Sequence, residues 1–207
     1  MRITISSYFV IVFGKICLIT LFVGQVSFGQ QAVKSDTASQ ISELFETYTT
    51  LIKAAQFDSI VDRYPKDFIV LGKIAAKDSG MYIQLHNYVG KSYKNLRQYE
   101  LAKHHFQLMA DMLNVTKSIP DRHRMIARAQ INLGTIAGLQ KLFDEEVAHY
   151  AIARQHGKKS EGEGATQVMI MCDLNEAANN ESRFRWERSL MLFRSALDRI
   201  NQTGVYA

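Results

Sequence analysis

Apolar residues along most of the chain fall three and four positions apart, the spacing that gathers them on one side of an α-helix. The first stripe is Ile41, Leu44, Tyr48 and Leu51 or Ile52, with Ser39 placed to cap the helix and Glu43 in its first turn. A second runs from Phe57 through Ile60, Val61 and Tyr64 to Pro65, where a break or kink is expected before "KDFIVLGKIAAK" resumes as helix. Asp78-Ser79-Gly80 reads as a turn. Further helices are predicted over about 81–96, 99–115, 121–140, 143–156, 165–179 and 182–201. "KSIP" and the charged "GKKSEGEG" separate two pairs of them. No stretch alternates apolar and polar residues as a half-buried strand does, so the predicted class is all-α.

The stripes recur as a set. Phe57, Tyr99, Phe143 and Trp186 each open a helix, and they lie 42, 44 and 43 residues apart. Seven residues after them come four more aromatics, Tyr64, Phe106, Tyr150 and Phe193. Gly90 and Gly134 stand at comparable places in the preceding helices, where a glycine costs about 1 kcal/mol relative to alanine. A residue without a side chain lets a partner helix approach closely. The prediction is a hairpin in which Gly90 packs on Ala102, with Tyr93 and Phe106 filling the space beside them. Four such units form an array in which each hairpin buries one face internally and another on its neighbours.

The residues carrying this period resemble the tetratricopeptide repeat family, whose units pair a helix bearing L-G-x-x-Y with one bearing A-x-x-x-F-x-x-A. Val89-Gly90-Lys91-Ser92-Tyr93, then Ala102 and Phe106, follow that pattern, with Met109 at the last small position. Leu133-Gly134, Tyr150 and Ala153 follow it in the next unit, where Glu146 occupies a small-residue position. Phe193 and Ala196 fit the fourth, with Ala177 in the glycine's place. The resemblance covers about residues 40–201 and is closest in the two central units. It implies an α-solenoid of about four hairpins that binds a protein or peptide. The period of about 43 exceeds the family's usual 34, which leaves a HEAT-like or other α-solenoid as the alternative.

The resemblance also directs polar positions of the first helices toward a binding groove: Gln84, Asn87, Lys91 and Lys94 in the second unit, Arg128 and Asn132 in the third. The first four share one helix face at i, i+3, i+4 spacing. That face is basic and amide-bearing, which suits an acidic segment or the C-terminal carboxylate of a peptide. The lysine, asparagine and arginine clamp of the family's chaperone-binding members is not reproduced in order, so the surface carries over and the clamp does not.

The stretch ahead of the repeats has another character. Arg2, the apolar run Ile16 to Gly24 and the small-x-small site Ser27-Phe28-Gly29 read as a signal peptide over 1–29, followed by a flexible lead over 30–39. Lys15 interrupts the apolar run, so an uncleaved signal anchor is the alternative. Residues 202–207 are read as a tail. Cleavage removes Cys17 and leaves Cys172 alone, so no internal disulfide can form and packing must hold the exported chain together. That suits a bacterial periplasm or surface. Cleavage also lowers the net charge from +5 to +3; an excess so mild and dispersed lacks the density of a nucleic-acid stripe.

Catalytic chemistry finds little purchase. His104 and His105 are adjacent and point about 100° apart on a helix, so they cannot ligate one ion together. They are expected to be solvated or half-buried. Glu146-x-x-His149 has the spacing of half a carboxylate di-metal site, but no second such pair accompanies it, and a solvated helix face is expected. Cys172, in "VMIMCDL", is expected to be a buried small hydrophobe. No phosphate loop, nucleophile elbow or paired metal ligands appear in the sequence, so neither enzyme activity nor a cofactor is expected.

A signal peptide ahead of long, divergent repeats looks like the extracytoplasmic sensor region of bacterial signalling proteins. A chain ending at "NQTGVYA" would be a free-standing or shortened relative of these. A second reading is a helical ligand-binding or enzymatic domain with a pocket around Cys172, Met169 and Met171.

Overall fold

Every regular element among the described residues, 39–72 and 80–204 of this computed structural model, is a helix. The predicted signal peptide, most of the lead, two residues of the Asp78–Gly80 turn and the end of the tail lie outside them. In order, α1 occupies 39–53, α2 Phe57–Gly72, α3 Gly80–Asn95, α4 Tyr99–Val115, α5 Arg122–Leu139, α6 Phe143–Gly157, α7 Glu163–Glu181 and α8 Trp186–Thr203. The chain divides into two compact units, Met1–Glu43 and Leu44–Ala207. Only the opening residues of α1 are described in the first; the rest of α1 and all the later helices belong to the second.

Pro65 sits inside α2 and does not end it. Proline removes one helical hydrogen bond and costs roughly 3 kcal/mol in a helix interior. Tyr64 and Phe68 hold α2 on both sides of that gap. The Tyr64 ring stands edge-on to His105 at 4.7 Å, and Phe68 stands edge-on to His86 at 4.7 Å. Aromatic burial of this kind offsets the lost bond. The last helix begins at Trp186 rather than at the expected 182, because Arg183 to Arg185 turn the chain.

That turn recurs four times. Ala55, Arg97, Lys141 and Phe184 all have left-handed φ, between 54° and 63°. The residue after each donates its N–H to the carbonyl five positions back: Gln56 to Leu51, Gln98 to Tyr93, Leu142 to Ala137 and Arg185 to Asn180, at 2.8–3.0 Å. This is the Schellman closure of a helix C-terminus, which usually recruits glycine. Here none of the four is glycine. Their positions repeat at 42, 44 and 43 residues, the same intervals that separate the aromatic openers. The period read from side chains is therefore also a period of the backbone.

Packing is local. The pairs α3–α4, α5–α6 and α7–α8 form the closest associations, and among α2 to α8 no helix meets another more than two places away in the chain. Ile83, Met109, Leu113 and Ile126 form one apolar cluster across α3, α4 and α5. Ile131, Tyr150, Ala153, Val168 and Cys172 form the next, across α5, α6 and α7. Ala196 closes a third with Ile170. The fold is thus all-α and repeat-like, with its core distributed along the array.

The close approaches fall at the two repeat glycines, with a changed partner. A Cβ on Gly90 would lie 2.8 Å from the Phe106 ring, not against Ala102 as expected. One on Gly134 would lie 3.2 Å from the Tyr150 ring and from His149 Cβ. The predicted small-on-small contact is therefore glycine beneath an aromatic ring. Phe106 and Ala102 are both fully buried, so the ring has no room to retreat. Gly90→Ala should consequently lower stability by about 1–3 kcal/mol, although alanine favours helix. Urea denaturation tests this, and Gly90→Leu should loosen the array further. An unchanged midpoint for Gly90→Ala would show that the ring can give way.

Candidate functional site

Helices α3 and α5 bring four of the six predicted contact residues together. Lys91 and Lys94 lie one turn apart on the second half of α3, and Arg128 and Asn132 one turn apart on α5. Lys94 Nζ donates to Asn132 Oδ1 at 2.8 Å, across the two helices. Asn132 Nδ2 donates in turn to the Arg128 carbonyl at 3.0 Å. Asn132 is buried and serves as an internal strut, so it is not the exposed contact the sequence predicted. Asn87 is also buried, with its Oδ1 unpartnered in the protein, which removes it from the exposed face as well. Gln84 is half-buried on α3.

The two lysines are half-buried, and their environment opposes their charge. Burial, with a smaller contribution from Lys91, holds the Lys94 ammonium down at about 8. Lys91 is lowered by burial and then by Arg128. Neither lysine is ion-paired with a carboxylate among the described residues. Both lysines are therefore held where desolvation and neighbouring positive charge disfavour their charged form. An anion would relieve that arrangement.

Several buried polar groups elsewhere are paired within the protein, and two of them correct the sequence expectations. His105 is fully buried and not solvated, with its Nδ1 3.0 Å from His86 Nδ1 inside a cage of Tyr64, Phe68, Tyr82 and Tyr93. His104 stays exposed. The same pairing recurs 44 residues on, where His149 Nδ1 meets Gln130 Oε1 at 2.7 Å. Glu146 is likewise buried, not on a solvated face. It is ion-paired with Arg183, accepts from Asn179 Nδ2 at 3.0 Å, and lies under a helix stretch that Gly138 keeps free of side chain. Repeat position explains both cases. Glu146 is the counterpart of Ala102, a position facing into the hairpin, and a charge placed there has to be matched from the following turn.

A third network links α6, α7 and α8. Arg154 donates to Asp173 and Glu176 at 2.9 and 2.8 Å, while Ser195 donates to Asp173 at 2.8 Å. These residues gave no signal in sequence beyond ordinary charge. Cys172 is buried in an apolar cluster as expected, and burial pushes its thiol up to about 12, so it remains protonated. Among the described residues no group of three or more His, Cys, Asp or Glu is placed to hold a metal ion. No described helix is long and apolar enough to cross a membrane. No protein-family model, curated protein or solved structure matches the chain.

Proposed function

We propose that this chain is an exported, non-catalytic tetratricopeptide-like scaffold that binds an acidic protein or peptide segment on the α3–α5 face. The reading assigns it to the sensory side of a signalling system. The observation that carries the binding role is the pair of half-buried lysines, Lys91 and Lys94, held beside Arg128 without a carboxylate partner of their own. A carboxylate arriving there gains charge-assisted hydrogen bonds and relieves the repulsion among the cations. The recurrence of one backbone turn at 42, 44 and 43 residues supports the repeat assignment.

Fluorescence anisotropy with short labelled peptides tests the site. Peptides rich in Asp and Glu and ending in a free carboxylate should bind, their amidated forms should bind less tightly, and added salt should weaken both. The double variant Lys91→Ala, Lys94→Ala should lose this binding while keeping the helical circular dichroism of the parent. Equal affinity in parent and variant would remove the proposal.

A further inference from the structure

The apolar stripe of α8 has a different fate from its counterparts. By repeat position, Phe193 corresponds to Phe106 and Tyr150, which are fully buried. Leu197 corresponds to Ala110 on α4, buried where α5 packs over it. On α8 these residues are open: Phe193 is 38% exposed and Leu197 55%. Trp186 and Leu190 extend the stripe at 57% and 50%. Together with Ile200 they follow intervals of 4, 3, 4 and 3 residues, an uninterrupted a/d heptad seam.

The flanks of that seam are unequal. Ser189 and Ala196, on one side, are buried against the protein's own body. Glu187 and Arg194, on the other, are exposed and have no ion-pair partner among the described residues. In an antiparallel pairing of two identical seams, Leu190 meets Phe193 of the second copy, Trp186 meets Leu197, and the exposed flanks run alongside each other. Glu187 then lies opposite Arg194 of the second copy, and by the two-fold axis Arg194 lies opposite Glu187. A parallel pairing would instead set the Glu187–Arg194 flank against the Ser189–Ala196 flank of the second copy, which is already buried on that copy's own body.

We propose that α8 is a self-association surface through which two copies of this chain form an antiparallel two-fold dimer. The seat is continuous with the helix-on-helix interfaces inside the array, where α5 covers α4 and α7 covers α6. The two Glu187–Arg194 contacts fix its direction, and an isologous interface of this kind closes without further growth.

Sedimentation velocity of the 207-residue chain over a concentration series is the test. The parent should shift from monomer to dimer as concentration rises. Glu187→Arg alone and Arg194→Glu alone should each raise the dissociation constant about tenfold or more by placing like charges face to face. The exchange of both in one chain should restore dimerisation. Leu197→Lys should leave a monomer with unchanged helicity. A parent that stays monomeric throughout would overturn the proposal. So would a dimer indifferent to the single charge reversals, or one not recovered in the exchanged variant.

Discussion

Arg183→Ala is expected to cost about 3–5 kcal/mol of stability, because it strands the carboxylate of Glu146 inside the protein with its charge unmatched. Glu146 is 1% exposed and has Arg183 as its ion-pair partner, with Asn179 as a neutral donor. The Arg183 guanidinium also stacks 4.0 Å above the Phe143 ring, so its removal opens a gap as well. Adding Glu146→Ala to that variant should recover most of the loss, since alanine is the residue already accepted at the matching position 102. Urea midpoints of the two single variants and the double variant give the coupling between the residues. An Arg183→Ala midpoint equal to that of the parent would mean that the buried charge finds another partner.

Acid should weaken the fold through the imidazole pair in the α2–α3–α4 cage. Burial first, and then the charge of His104, holds His86 at about 4, below its ordinary 6.5. Burial, then His86 and His104, holds His105 at about 3. Both are depressed in the folded chain, so the unfolded chain binds the proton first. The stability these groups contribute is complete above pH 6.5, begins to fall below it, and keeps falling until the pH reaches the folded values. Between pH 7 and pH 5 each histidine should remove about 2 kcal/mol. His123, His149 and His156 are lowered as well and add to the same trend.

His86→Gln reproduces the glutamine–histidine pair that Gln130 and His149 make one unit later, and it should cut the acid loss assigned to the cage by about half. Urea midpoints at pH 7 and pH 5 decide the matter; equal midpoints in the parent would show that the cage admits the charge.

The array was legible in the sequence because its cause is periodic. Aromatics at 57, 99, 143 and 186 and the two repeat glycines lie on helix faces that must bury them, and the spacing survives in the linear text. The helix ends were harder to place. Schellman turns are usually announced by glycine, and this chain builds all four from Ala, Arg, Lys and Phe. At Pro65, where the sequence allows a break or a kink, α2 runs on without ending, with Tyr64 and Phe68 packed on His105 and His86.

The candidate site was only half legible. Helical spacing put Lys91 and Lys94 on one face, but nothing in the sequence indicated that Asn132 would turn inward to hold Lys94. Charge alone points Glu146 to a solvated face and the His104-His105 pair to a solvated or half-buried one, whereas Glu146 and His105 are both buried. Superposing the units at 44 residues would have aligned Glu146 with Ala102, and His149 with His105. The first alignment marks an interior position and the second a shared hydrogen bond.

Contacts limited to the next helix or the one after it also govern how this protein is made and lost. Each hairpin can close on itself soon after its second helix leaves the ribosome, although α5–α6 completes its buried ion pair only once Arg183 has followed. Opening, too, is not shared equally. In the monomer, amide exchange should be faster at α8, whose outer face no described helix covers, than in the central α4 and α5, each clasped from both sides.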